Sequence, residues 1–184
     1  MRINMPSEHA SNPVAHLAEN YAGEIVNAGL AFSKAVYQHS RLSLREFEAA
    51  RVRTAEINGC KVCQNFRAER DLPGYFEHFG GSTNGSVAES GPVPDEEFYR
   101  NVSLWRDYPG FSAREKLAIA YAEGMGTDPQ GLAANEDFWQ SMRNAFSDAE
   151  IVDLTYAVAS WMGMGRATHV LGMDSLCAWV PGSE

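Results

Sequence analysis

Residues 42–67 read LSLREFEAARVRTAEINGCKVCQNFR. The opening five, Leu42-Ser43-Leu44-Arg45-Glu46, carry an apolar residue, then Ser, then Glu three positions on. That is a capping box: the Ser hydroxyl accepts from a free backbone N–H of the first turn, and the Glu reaches back to the Ser N–H. The pattern recurs at Phe111-Ser112-Ala113-Arg114-Glu115 and at Phe146-Ser147-Asp148-Ala149-Glu150. Helices are therefore predicted to start at Ser43, Ser112 and Ser147. Upstream, Leu17, Tyr21, Ile25, Ala28, Phe32 and Val36 keep helical spacing between Val14 and Gln38. No stretch alternates apolar and polar residues persistently, so the fold class is all-α, a helical bundle.

Breakers divide the pattern. Asn58-Gly59 ends the helix from Ser43, with Gly59 supplying a left-handed position past the last turn. Leu72-Pro73-Gly74 reads as a second stop. Residues 80–94 are rich in Gly and Ser and read as a flexible loop within one domain, because Asp95-Glu96-Glu97 then opens another helix. At 184 residues the chain fits a single domain, with residues 1–13 as an N-terminal tail. Sliding the chain by 104 residues lays Ser43 on Ser147, Glu46 on Glu150 and Gly59 on Gly163, a weak internal duplication. In that register Glu48, Cys60 and Cys63 fall on Val152, Met164 and Ala167, so the second copy reads as core where the first is reactive.

The chain holds 15 basic and 24 acidic residues, a formal net charge of -9. Nucleic-acid binding needs clustered Lys and Arg, so it is not expected. Docking on an anionic membrane is disfavoured for the same reason. The first 13 residues lack the apolar run of a secretory signal, and no window approaches a membrane span, which points to the cytoplasm. The segment from Ile151 to Met164 is apolar nearly all round. One domain of this size does not readily bury such a helix alone, so a homo-oligomer is expected.

Three cysteines are too few, and odd in number, for a disulfide scaffold. Cys177 has no neighbour in sequence and reads as a small hydrophobe. Cys60 and Cys63 follow the Gly59 stop and are predicted to occupy the first turn of a helix over Cys60 to Arg70. Free N–H groups there stabilise a thiolate. Arg67, one turn beyond Cys63, adds positive charge, and with Lys61 and Arg70 makes a local basic patch. On the preceding helix, Glu48 lies between Leu44 and Val52 on the face that also holds Phe47, Arg51 and Ala55. An antiparallel turn about Gly59 would bring Glu48 to Arg67 as an ion pair. Haem attachment would need His where Gln64 stands. A zinc site would need His169 and Cys177 as added ligands, and a merely structural pair of buried thiols stays open.

The same run resembles the alkylhydroperoxidase D-like, or carboxymuconolactone decarboxylase-like, superfamily. The thiol branch of that superfamily is similar in spacing: Glu, eleven residues, Cys, two residues, Cys, three residues, His. Glu48, Cys60 and Cys63 stand at the first three positions, and Arg67 replaces the His. Phe111 to Glu115, Phe146 to Thr155 and Trp161 to Met173 are similar too, so the likeness spans residues 40–173. The resemblance implies an oligomeric peroxidase without bound cofactor or metal. Cys63 would attack the peroxide, Cys60 would resolve the product to a disulfide, and Glu48 would serve a proton relay. An external dithiol would restore both thiols. Arg67 cannot relay a proton, because it stays charged; His169 could approach the site from the last helices. Two other functions remain open. One is a non-redox helical oligomer that binds a small apolar ligand. The other is a lactone decarboxylase-like enzyme, with idle cysteines.

Overall fold

The computed structural model describes residues 1–10 and 12–175, so Cys177 lies outside the described residues. Ten α-helices follow one another among them: α1 (Pro13–Asn20), α2 (Gly23–His39), α3 (Leu44–Asn58), α4 (Lys61–Asn65), α5 (Ala68–Phe79), α6 (Glu96–Asn101), α7 (Ala113–Thr127), α8 (Pro129–Ala134), α9 (Glu136–Ala145) and α10 (Asp148–Leu171). The all-α expectation holds. None of these helices is long and apolar enough to cross a membrane.

All three capping boxes form, with both reciprocal bonds present at Ser43–Glu46, Ser112–Glu115 and Ser147–Glu150. They also meet in space. Arg114 ties Glu46 (2.5 Å) to Glu150 (2.6 Å), and Arg45 reaches Glu115 (2.5 Å). The starts of α3, α7 and α10 are thus laced at one end of the bundle. α3 is the central helix and packs against both α7 and α10, which also touch each other. Phe47, Leu44, Leu154, Val158, Ala118 and Ala122 fill the seams.

This lacing sets an acid limit. Burial works against the Glu150 charge, but the Ser147 backbone N–H, Arg114 and the Ser147 hydroxyl outweigh it and hold its pKa at about 2. The folded value lies below the ordinary carboxylate range. The contribution is therefore complete above about pH 4.5 and fades as pH falls toward 2. In urea titrations over that window, Glu150→Gln is expected to lose less stability with acid than the parent. An equal acid slope would refute the assignment.

Four local expectations are corrected. The segment from Val14 breaks at Tyr21 and Ala22 into α1 and α2. Pro73 does not stop a helix: α5 runs through it, with the Pro ring exposed and Leu72 and Phe76 anchoring the helix in the core. Cys60 to Arg70 is not one helix, because Phe66 and Arg67 are extended between α4 and α5. The 104-residue duplication fails where it placed core: Val152 is 55% exposed, and α10 runs unbroken through Gly163. The loop over 80–94 also holds a turn whose Val87 is fully buried.

Candidate active site

Gly59 closes α3 with φ 71°, the left-handed cap foreseen from sequence. The chain reverses there, and Cys60 becomes the N-cap of α4, its Sγ accepting the Cys63 N–H at 3.4 Å. Cys60 and Cys63 are joined as a disulfide with a Cα separation of 5.3 Å. The two differ in access. Cys60 is 0% exposed, whereas Cys63 is partly exposed and forms part of the wall of a cavity of about 280 Å³. α1, α2, α3, α5 and α10 all contribute to this cavity, whose wall is mainly apolar and aromatic: Leu30, Tyr37, Phe66, Tyr75, Phe79, Trp161 and Met164.

Glu48 is 0% exposed, as its place among apolar neighbours implied, but its partner is not Arg67. Arg51, one turn along α3, grips both carboxylate oxygens at 2.6 and 2.8 Å, and the Tyr99 hydroxyl donates a third bond at 2.8 Å. Burial alone would push the Arg51 pKa down. The adjacent Glu48 charge more than offsets this, so the guanidinium stays charged. The same guanidinium reaches across to the cysteine turn. It donates to the Cys63 carbonyl at 2.6 Å and to the Phe66 carbonyl at 3.1 Å, and lies over the Phe66 ring. These bonds help explain why α4 stops after five residues: the Cys63 and Phe66 carbonyls point at Arg51.

Arg67 stands elsewhere. Its backbone N–H is taken by the buried Asp71 carboxylate at 2.7 Å, which starts α5. Its guanidinium pairs with Glu96 at 2.7 Å, donates to the Gln64 and Phe66 carbonyls, and lies over the Tyr99 ring. None of these contacts is with a sulfur. Arg70 is likewise matched by Asp71 at 2.7 Å, so the expected basic patch is largely neutralised. The proposed Glu48–Arg67 pair is therefore overturned; Tyr99 stands between the two. Sequence reasoning placed Arg51 on the correct face but gave it no role. The signal was present as Glu-x-x-Arg, the spacing at which helical side chains meet.

His169 does come up to the turn from α10. A Cβ on Gly59 would sit 3.2 Å from its Nε2, and its Nδ1 is 2.8 Å from Asp174 Oδ2. That carboxylate also accepts the Lys61 N–H at 3.3 Å, which fastens the end of α10 to the cysteine turn.

No family model matches the sequence, and no curated protein matches it. The fold is similar to the crystal structure of an Agrobacterium tumefaciens protein of unknown function, described as a candidate antioxidant defence protein AhpD. The superposition has a TM-score of 0.60 and 24% identity, and covers 83% of this chain and 93% of that one. The likeness shows that the fold is AhpD-like; in this chain it carries the Cys60–Cys63 disulfide.

Proposed function

We propose that the chain is a thiol-dependent peroxidase that works through the Cys60–Cys63 pair. The observation that carries this reading is the position of Cys63: one sulfur of the disulfide pair opens on a mainly apolar cavity, and the other is buried behind it. The Cys63 thiolate attacks the terminal peroxide oxygen. The S–O bond forms as the O–O bond breaks, the sulfur is oxidised to a sulfenic acid, and the departing alkoxide takes up the proton the thiol gave up. Cys60 then displaces water from the sulfenic acid to form the disulfide. An external dithiol reduces it, becoming a disulfide itself. No bound cofactor enters the cycle, and the reaction suits a reducing cytoplasm.

In this scheme Glu48 is the countercharge that keeps Arg51 buried, and Arg51 positions the Cys63 turn. Arg67 braces α4 against α5. A homo-oligomer is part of the proposal, supported by an exposed apolar strip where Phe32 of α2 meets Val152 and Tyr156 of α10, the last 61% exposed. The cavity also supports a second reading, a non-redox oligomer that binds a small apolar ligand there.

Thiol titration separates the two. The reduced chain has three cysteines. One equivalent of cumene hydroperoxide is expected to leave a single free thiol in the wild type and to leave both remaining thiols of Cys63→Ser intact. An unchanged wild-type count at neutral pH would favour the ligand-binding reading.

A further inference from the structure

The proposed chemistry leaves one buried group on the cavity wall without a task. Tyr37 of α2 is 7% exposed, and its ring is wedged against Tyr75 at 4.3 Å, Phe47 at 5.1 Å and Phe66 at 6.3 Å between centroids. A buried phenol normally has a hydrogen-bond partner. Other tyrosines set into the bundle have one: Tyr75 meets Ser33 Oγ at 2.9 Å, Tyr99 donates to Glu48, and Tyr121 meets Thr155 Oγ1 at 2.7 Å. The Tyr37 hydroxyl has no acceptor among the described residues; its one polar neighbour is the Trp161 indole N–H, which can only donate to it. Tyr37 and Trp161 both line the cavity. With the indole N–H directed at the Tyr37 oxygen, the phenol's own proton still lacks an acceptor. The space left for that acceptor is the cavity that Tyr37 and Cys63 share.

The surroundings define what could accept it. Burial, the largest influence, drives the Tyr37 pKa far upward, so the group stays a neutral O–H donor. Among the described residues the one arginine or lysine in the wall, Arg51, already carries its countercharge in Glu48. A carboxylate entering this space would be desolvated with no charge to meet it. A neutral oxygen on an apolar body meets no such penalty.

Building on the peroxidase reading, we propose that Tyr37 is a catalytic residue that donates its hydroxyl hydrogen bond to the oxygen head of a neutral, apolar-bodied hydroperoxide held against Cys63. The donor faces the oxygen that departs when the O–O bond breaks. Its bond therefore strengthens as that oxygen takes the electron pair and becomes the alkoxide, which ends as the alcohol.

Tyr37→Phe tests this in the full-length protein, because it keeps the ring and removes only the hydroxyl. Its melting temperature should stay within about 2–4 °C of wild type. Its kcat/KM for cumene hydroperoxide should fall about 10- to 100-fold, the loss of one donor to developing charge. Thiol loss to diamide, an oxidant with no peroxide oxygen, should proceed at the wild-type rate. Binding of the product alcohol, 2-phenylpropan-2-ol, to the oxidised protein should weaken about tenfold. The matching carboxylate, 2-methyl-2-phenylpropanoate, should bind neither form. Hydroperoxide turnover or alcohol affinity unchanged in Tyr37→Phe overturns the proposal, as does tight binding of the carboxylate. A wild type that binds the alcohol in a Tyr37-dependent way but reduces no hydroperoxide would support Tyr37 as the head-group contact and overturn the peroxidase reading alone.

Discussion

Arg51→Met is expected to lower unfolding free energy by about 3–5 kcal/mol at neutral pH, measured by urea denaturation. The substitution matches the length and apolar stem of Arg51 but leaves Glu48 charged and 0% exposed. Only the Tyr99 hydroxyl then remains to it of the three bonds it accepts. Glu48→Gln/Arg51→Met removes both charges while keeping an acceptor for Tyr99, and should recover stability to within about 2 kcal/mol of wild type. Peroxide turnover should not recover with it. The Cys63 carbonyl still lacks the Arg51 donor that holds it at 2.6 Å, and a displaced thiolate costs about tenfold or more in kcat/KM. A loss below 1 kcal/mol in Arg51→Met would mean that the pair is not what holds the turn. Full activity in the double variant would remove Arg51 from the site.

That pair also marks where sequence reading stopped. The capping boxes were legible because each is a local device: Ser and Glu act within one turn, and their chemistry is the same in any fold. Gly59 was legible because a left-handed cap needs a residue without a Cβ. The burial of Glu48 followed from its flanking Leu44 and Val52. Its partner did not, because two arginines were within plausible reach and the choice depended on the break at Phe66. That break is held by Asp71 at the Arg67 N–H and by Arg51 on two carbonyls, contacts that join residues from three segments. A reading that continued one helix from Cys60 to Arg70 carried Arg67 to the wrong place. Pro73 misled for the related reason that tertiary anchoring by Leu72 and Phe76 overrides a weak helical position. Tyr37 gave no sequence signal, since an aromatic at helical spacing reads as core; what distinguishes it is a hydroxyl with no acceptor for its proton among the described residues.

Cys63→Ser is expected to abolish peroxide turnover, by at least about 1,000-fold, as for loss of a covalent nucleophile. Cys60→Ser should behave differently. It should consume one equivalent of peroxide in a single burst and then stop, with Cys63 trapped as a sulfenic acid that dimedone labels. The asymmetry follows from access, not from helix position. Both sulfurs sit at the start of α4, a helix of five residues whose dipole is correspondingly small. A reading from dipole alone would favour Cys60, the N-cap, which is the order used when the first cysteine of such a pair attacks. Yet Cys60 is fully buried, and its Sγ accepts the Cys63 N–H. Cys63 alone of the two faces the cavity where a peroxide can arrive. The same access governs the return step: an external thiolate reaches the disulfide at Cys63, and Cys60 is the sulfur that leaves. A burst in Cys63→Ser with none in Cys60→Ser would reverse the assignment. It would require the Gly59 turn to open, which His169 and Asp174 at its back oppose.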